Sequence, residues 1–160
     1  MARIVYGLSG EGSGHSSRSQ QMARHLVAQG HEVKLASYDR GYRNLKDEFD
    51  MLEIEGLVIA NENNKVSKTK TLAANLGKLS SGLKTFRRLK QSLFEEFQPD
   101  VVITDFEPMT AYLAYTHDLP LITIDNQHRM RYMQYDGPTH LEADRRLTKS
   151  VIRAMVPRPD

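Results

Sequence analysis

The feature that most constrains this chain is a short strand at its N terminus that runs directly into a glycine-rich loop. Residues Arg3–Leu8 are largely apolar, and the loop that follows carries glycine at every second position, at Gly10, Gly12 and Gly14. Such glycines let the backbone turn tightly and come close to a ligand, and the free N–H groups of a following helix favour an anion. We predict a ligand-binding loop here, with a plain strand-to-helix turn as the alternative.

The rest of the chain alternates between helix and strand patterns. After the loop, apolar residues recur at helical spacing up to Gly30, with Ser16 and Ser17 as expected N-caps, and residues 31–37 alternate as a second strand. Similar patterns predict the later elements, which are strands at 101–104 and 121–124 and helices over 72–97, 111–117 and 141–156. The sequence therefore predicts one α/β domain over residues 1–160, with a Rossmann-like, doubly wound, mostly parallel sheet and helices on both faces.

Three segments have weaker patterns. Between residues 38 and 60 we expect a short helix at 44–49 and one further strand, at 51–54 or 57–60. Residues 61–71 lack apolar periodicity and carry several lysines, so they are expected to form an exposed loop. Residues 129–138 are expected to be irregular.

Composition excludes several classes of protein. The 160 residues contain no cysteine, which excludes disulfides and thiolate metal sites, and the formal net charge of +2 gives no reason to expect a nucleic-acid partner. The first apolar run breaks at Ser9, too early for a secretory signal, and no run reaches the roughly 18 apolar residues of a membrane span. We therefore expect a cytoplasmic protein. No metal site is expected at the histidines without ligand spacing, which are His25, His31, His117 and His140.

Polar side chains gather where the predicted strands end, which is where a doubly wound sheet binds its ligands. The residues concerned follow three strands and are Gly12, Ser13, Gly14 and His15; Asp105 and Glu107; and Asn126, Gln127 and His128. The last group offers hydrogen-bond donors and acceptors that suit a polyol or a sugar phosphate, with turn and cap chemistry as the alternative. We predict substrate contacts from these three loops.

A nucleotide cofactor is a second interpretation of the first loop. The dinucleotide fingerprint needs its third glycine where this chain has His15, and Gly14 falls one place early. Asp39, after the second strand, is compatible with a ribose ligand, but the neighbouring Arg40 makes a phosphorylated ribose or no ligand equally compatible. No Gly-Lys-Ser/Thr sequence follows, which excludes a P-loop. An NAD(P)-binding oxidoreductase domain therefore stays an alternative.

His15 and Asp105 are the candidate catalytic pair. His15 lies at the start of the predicted helix, whose dipole favours the neutral imidazole that can accept a proton. Asp105 ends a neighbouring strand, so its carboxylate can orient the ring and stabilise the imidazolium. The alternatives are a helix-capping role for His15 and an N-cap role for Asp105 ahead of Pro108.

Two stretches carry a resemblance to a known family. The first is the glycine loop ending in Gly14-His15 with its helix, and the second is 101–122, which begins Val-Val-Ile-Thr-Asp-Phe. Together they resemble the N-terminal domain of GT-B glycosyltransferases, of the UDP-glycosyltransferase-like and family 28-like groups. The resemblance implies that His15 is the general base toward an acceptor hydroxyl and that Asp105 is its partner. It also implies inverting transfer from a nucleotide-sugar donor, with neither a metal nor another cofactor.

The resemblance implies a second domain as well. In such enzymes the nucleotide sugar is bound mainly by a C-terminal domain, so we expect this chain to be the acceptor-side domain with that second domain missing. The expected acceptor is a hydroxyl compound, including a lipid-linked one.

A basic strip is expected on a solvated helix face, with docking on an anionic membrane as the alternative; it comprises Lys84, Arg87, Arg88 and Lys90. A non-catalytic sugar- or nucleotide-binding module is the third class of function.

Overall fold

The fold centres on a five-stranded sheet in which every neighbouring pair is parallel. The computed structural model describes residues 1–56, 61–62, 65–66, 79–134 and 136–157, with backbone alone at 61–62, 65–66 and 79–80. The strands in chain order are β1 Arg3–Leu8, β2 Glu32–Ser37, β3 Met51–Glu53, β4 Asn61–Glu62, β5 Lys65–Val66, β6 Val101–Asp105 and β7 Leu121–Thr123. The sheet has the order β3-β2-β1-β6-β7, whereas β4 and β5 form a separate antiparallel pair.

Helices connect the parallel strands. They are α1 Ser13–Ala28, α2 Asp39–Leu45, α3 Leu79–Leu89, α4 Pro108–Thr116, α5 Arg129–Tyr132 and α6 Glu142–Met155. A π-helical segment, Lys90–Glu96, continues α3, and a 3₁₀ turn, Thr139–Leu141, precedes α6. A parallel pair of strands needs a crossover connection of this kind, because the chain must return to the edge from which it started.

Alternation along β1 separates two hydrophobic cores. Tyr6 and Leu8 are buried in one core with Ala23 of α1, and Val5 is buried in the other core with Leu113 of α4. Successive side chains of a strand point to opposite faces of the sheet, so α1 and α4 cover different faces. The predicted doubly wound sheet with helices on both faces is confirmed.

The first helix begins earlier than its serines suggested. It starts at Ser13 with Gly12 as N-cap and has no side-chain cap. Ser16 instead lies inside the first turn, where its hydroxyl donates to the Ser13 carbonyl at 3.1 Å. The prediction that Ser16 and Ser17 cap this helix is therefore wrong. The backbone conformation of Gly12 ends the preceding turn, and the helix begins there without a side chain that accepts a hydrogen bond.

The middle of the chain differs from the prediction in three places. The helix is α2 at Asp39–Leu45, earlier than the expected 44–49, whereas β3 at Met51–Glu53 confirms the strand expected at 51–54. The alternative strand at 57–60 lies outside the described residues. Part of the loop expected at 61–71 is the β4–β5 pair, and the rest lies outside the described residues, as does the start of the helix expected over 72–97. The described part of that helix continues from α3 into the π-helical segment.

The C-terminal part follows the prediction closely. The closing helix expected over 141–156 is α6, Glu142–Met155, and the irregular stretch 129–138 contains one short helix, α5. Across the described ranges, no helix is long and apolar enough to span a membrane.

Candidate active site

The strand order reverses next to β1, and the polar loops meet at that point. β1 lies between β2 and β6, and Leu8 at its end pairs in register with Asp105 at the end of β6. In doubly wound sheets the crevice beyond the carboxyl ends of the strands at such a reversal is the usual ligand site. The topology therefore brings the start of α1 and the end of β6 together.

The three glycines of the loop have different physical roles. Gly10 is required by packing, because a Cβ there would lie 2.1 Å from the Tyr38 carbonyl oxygen. Gly12 has φ 77° and ψ 170°, a region that is essentially restricted to glycine. At Gly14 an added Cβ meets nothing within 4 Å. Space for a ligand thus lies beside Ser13 and Gly14, in the first turn of α1, where backbone N–H groups lack helical partners.

Alternation along β6 decides which carboxylate meets α1. Ile103 packs in the same core as α1, and Val102 packs in the core of α4. Asp105, two residues after Ile103, therefore also points toward α1. Phe106 then adopts a left-handed conformation with φ 59°, and this turn sends Glu107 to the side of α4.

The side chains of His15 and Asp105 form a direct hydrogen bond. His15 Nδ1 donates to Asp105 Oδ1 at 2.7 Å; the carboxylate is fully buried, and the imidazole is 15% exposed. An ionised carboxylate only accepts, so the ring proton is at Nδ1 and Nε2 is left as an acceptor. A neutral imidazole in this tautomer can take a proton from a ligand at Nε2.

Arg18 also belongs to this cluster, and its role was not predicted from the sequence. Its Nη2 donates to Asp105 Oδ1 at 2.6 Å and to Oδ2 at 2.7 Å, and its Nε donates to Oδ2 at 3.0 Å. The hydrogen bond with Asp105 raises the pKa of Arg18. Arg18 is three residues after His15 and Ser19 is four, so all three lie on one face of α1, and that spacing was the available signal. Ser19 Oγ lies 3.4 Å from Asp105 Oδ2.

A neutral phenol lies near the buried carboxylate. Tyr6, on β1, is inaccessible to solvent, and burial raises its pKa to about 12. It therefore stays protonated at physiological pH and adds no negative charge beside Asp105. The charges of the cluster are those of Asp105 and Arg18, with His15 able to gain one.

Glu107, predicted to contact substrate, has a structural position instead. It is 1% exposed and caps α4, accepting from Met109 N and Thr110 N at 2.8 Å each and from Thr110 Oγ1 at 2.6 Å. Burial raises its pKa, and these hydrogen bonds offset part of that effect. Gly7 makes room for the cap, since a Cβ there would lie 1.9 Å from Thr110 Oγ1. We therefore leave Glu107 out of the ligand contacts; it also takes the N-cap position considered for Asp105.

The loop after β7 contains a second histidine–carboxylate pair. Asp125 Oδ1 accepts from the His128 backbone N–H at 2.8 Å, and Asp125 Oδ2 accepts from His128 Nδ1 at 2.7 Å. Burial tends to raise the pKa of Asp125, but the hydrogen bonds from His128 outweigh it, so the pKa is lowered. Asn126 is exposed and Gln127 is half-buried. Asp125 was not predicted from the sequence, although a side chain that accepts from the N–H three residues on is the usual N-cap pattern of aspartate at the start of a helix.

Asp39, the residue considered for a ribose, forms an exposed ion pair with Arg43 at 2.7 Å at the start of α2. Within the part of the chain that the structure describes, no group of three His, Asp or Glu side chains is arranged to hold a metal ion.

Comparison with known sequences gives a family match over nearly the whole chain. The profile of the family described as "Glycosyl transferase family 1" matches residues 2–160. An uncharacterized glycosyltransferase of Methanosarcina mazei is 29% identical over an alignment 167 residues long, which covers 99% of this chain and 41% of that protein. This chain therefore spans about two-fifths of the length of that relative.

Comparison with solved structures gives the same architecture. The calicheamicin glycosyltransferase CalG4 has a TM-score of 0.59 at 16% identity, over 94% of this chain and 37% of that one. The Streptomyces sp. SF2575 glycosyltransferase SsfS6, complexed with thymidine diphosphate, has a TM-score of 0.54 at 19% identity, over 97% and 43%. At these identities the likeness shows the fold, a GT-B type N-terminal domain.

Proposed function

Because this chain belongs to glycosyl transferase family 1, we propose that it is the N-terminal, acceptor-side domain of an inverting glycosyltransferase. The observation that carries the proposal is the 2.7 Å hydrogen bond between His15 Nδ1 and Asp105 Oδ1, which leaves His15 Nε2 as an acceptor at the strand-order reversal. The family membership also favours sugar transfer over the oxidoreductase and the non-catalytic module.

The proposed chemistry is general base catalysis. His15 Nε2 takes the proton of an acceptor hydroxyl as its oxygen attacks the anomeric carbon of the donor sugar, and the bond from that carbon to the nucleotide diphosphate breaks. Asp105 stabilises the imidazolium that forms. Because Arg18 already shares the Asp105 carboxylate, the cluster changes from neutral to a net positive charge when His15 is protonated. A positive cluster stabilises the negative charge that develops on the departing diphosphate in the transition state.

The donor is proposed to be a nucleotide sugar. The relative SsfS6 was solved with thymidine diphosphate, which supports a nucleoside diphosphate as the leaving group. The open space at Gly14 and the free N–H groups of the first turn of α1 are suited to part of the acceptor or of the donor phosphates. The rest of the donor site is proposed to belong to a C-terminal domain, as the 41% coverage of the relative suggests.

The stereochemistry of the product tests the proposed mechanism. A single displacement at the anomeric carbon, with His15 as base, predicts a product whose anomeric configuration is opposite to that of the donor. The full-length protein would be incubated with a nucleotide sugar and a hydroxyl acceptor, and the anomeric proton coupling would be read by NMR at early times. Retention of configuration would contradict the proposal, because it requires two successive displacements or attack from the face of the leaving group.

Gly14→Ala tests whether a ligand uses the open space above α1. The free energy of unfolding is expected to stay equal or rise, by at most about 1 kcal/mol, since alanine is the better helix former and its Cβ meets nothing. The kcat/KM for transfer is expected to fall about tenfold or more, because the methyl group fills the space that a ligand would occupy. Gly137→Ala, also without a contact for its Cβ, is the matched control. An unchanged kcat/KM in Gly14→Ala would argue against a ligand at that turn.

The acceptor is proposed to be a hydroxyl compound, and a lipid-linked acceptor is the form that involves a membrane. The basic strip supports peripheral contact with an anionic surface, because its four side chains are exposed on α3 and the first π-helical residue, beside the exposed Leu83. Among the described residues, two of the four have partners, since Arg88 donates to the Glu53 carbonyl and Lys90 pairs with Glu95 at 2.7 Å. Lys84 and Arg87 are thus the residues on which this part of the proposal depends.

A further inference from the structure

The segment around the pair Asp125–His128 contains buried polar atoms that have no hydrogen-bond partner in the described residues. His128 is 6% exposed, and its Nδ1 is bound to Asp125. Among the described residues, His128 Nε2, Gln127 Oε1 and Arg131 Nη1 are each buried without a hydrogen-bond partner. Buried polar groups nearly always have a hydrogen-bond partner. Three such atoms without a partner within five residues indicate that a molecule from outside the chain supplies the missing hydrogen bonds.

The three side chains lie on one side of a single turn. Arg131 N donates to the His128 carbonyl at 2.9 Å, and Met130 N donates to the Gln127 carbonyl at 3.1 Å, so the turn at Gln127 and His128 leads directly into α5. Residues three and four apart are neighbours on a helical surface, which brings Arg131 beside both His128 and Gln127.

This turn adjoins the site of His15. The Phe106 ring, directly after Asp105, meets the His128 ring edge-on at 6.4 Å between centroids. The Asp125 carboxylate also contributes to raising the pKa of Arg18, after the larger effect of Asp105. The two histidine–carboxylate pairs therefore lie at the same end of the sheet, where the neighbouring strands β6 and β7 end.

The hydrogen-bonding character of the three atoms selects the ligand class. The carboxylate of Asp125 holds the proton on His128 Nδ1, so Nε2 is an acceptor, and the carbonyl oxygen of Gln127 is a second acceptor. Arg131 Nη1 is a donor. A phosphate dianion has no proton for two acceptors, whereas adjacent hydroxyl groups donate to both and accept from the guanidinium.

We propose that Gln127, His128 and Arg131 form a subsite for adjacent hydroxyl groups of a sugar. The subsite rests on the proposed sugar transfer, since it places a sugar beside His15. The hydroxyls belong either to the sugar of the donor or to a sugar unit of the acceptor.

Tyr132 covers this subsite. Its ring stacks on that of His128 at 6.1 Å, and the Arg131 guanidinium lies 5.2 Å from its centroid. Tyr132 is itself 64% exposed, so it can rotate into solvent. Rotation of Tyr132 is the movement by which we expect a sugar to reach Nε2 and the guanidinium, and the flat ring offers an apolar surface to the face of a sugar.

The nitrogen NMR signals of the histidine rings test the subsite in the full-length protein, because most of the donor site is proposed to belong to the C-terminal domain. Four probes would be titrated into the labelled protein: a methyl glucoside, inorganic phosphate, UDP and UDP-glucose. A hydroxyl donating to Nε2 is expected to shift that signal of His128 while leaving the signals of His117, the matched control, unchanged. His117 is also part-buried with Nδ1 bonded, at 2.8 Å to the Leu113 carbonyl, at the far end of α4.

The probes separate the sources of the hydroxyls. A shift of the His128 signal with methyl glucoside indicates a sugar unit of the acceptor, and a shift with UDP-glucose that UDP does not produce indicates the donor sugar. A shift with phosphate would overturn the proposal in favour of an anion site, and a shift with UDP but not with phosphate would assign the hydroxyls to the ribose, which also carries an adjacent pair. No shift with any probe would overturn it in favour of a structural histidine. These outcomes are independent of turnover, so they do not depend on whether His15 is the base.

Two variants extend the test. Arg131→Met keeps an unbranched side chain and is expected to weaken binding of the active probe about tenfold, the effect of losing one well-made hydrogen bond. His128→Gln is expected to do the same, and its amide spectrum would first be compared with that of the parent chain. An unchanged affinity in Arg131→Met, whose side chain is only half-buried, would remove Arg131 from the subsite.

Discussion

Replacing His15 by glutamine in the full-length protein is expected to lower kcat for sugar transfer about 10²- to 10⁴-fold, the usual contribution of a positioned general base. Glutamine keeps a polar side chain next to Asp105 but cannot take a proton at the position of Nε2. The fold is expected to be retained, because the imidazole is 15% exposed and Asp105 keeps its hydrogen bonds from Arg18. The measurement is kcat and KM for transfer, with circular dichroism as the check on folding.

The matched control for this variant is His25→Gln. His25 is in the same helix but is exposed near its C-terminal end, away from Asp105. It is expected to leave kcat and KM unchanged. If His15→Gln retained the parent kcat, the hydrogen bond to Asp105 would have only a structural purpose and the proposed role of His15 would have to be abandoned.

Arg18→Met is expected to lower the free energy of unfolding by about 3 kcal/mol, which corresponds to a fall in Tm of roughly 6–12 °C for a domain of this size. The substitution leaves the fully buried Asp105 carboxylate without its bidentate partner, and a buried charge that loses its pair is strongly destabilising. The guanidinium is 31% exposed and partly solvated, so the loss is expected at the low end of the range for a broken buried ion pair. Urea or thermal unfolding of the chain measures the change.

Two further variants show whether the buried charge is the cause. Arg24→Met removes the exposed ion pair between Arg24, on the same helix, and Glu48, and little change in stability is expected. The double variant Arg18→Met/Asp105→Leu removes both charges and is expected to be more stable than Arg18→Met alone. A double variant no more stable than the single one would mean that Arg18 acts through packing of its stem instead.

The parts of the site that the sequence predicted follow from local order. β1, the glycine loop and the start of α1 are consecutive, and Asp105 ends an unbroken apolar strand, so parallel pairing is enough to bring His15 and Asp105 to the same edge. Which face each side chain takes depends only on the period of two along β6. The sequence thus predicted a meeting of His15 and Asp105 without any knowledge of the helices between them.

The parts that the sequence did not predict depend on conformations that side-chain types do not signal. Phe106 takes a left-handed conformation that is uncommon for residues with a Cβ, and this turn makes Glu107 a buried cap when a strand-end pattern suggested a ligand contact. Arg18 was missed because a charged residue on an amphipathic helix is usually solvated, and only the buried Asp105 explains its orientation. Gly12 replaced the serine cap by backbone geometry alone.

The strand order has a consequence for the order in which the protein acquires its chemistry. Ile4 pairs with Val33 on one side and with Val101 on the other, so the second pairing closes a loop roughly three times longer, at an entropic cost greater by about 1 kcal/mol. The N-terminal strand, helix and second strand can associate early, while Asp105 arrives only when the distant strand docks. A chain that has folded as far as its first three strands holds His15 without its carboxylate, so the hydrogen bond between His15 and Asp105 reports that β6 has docked on β1.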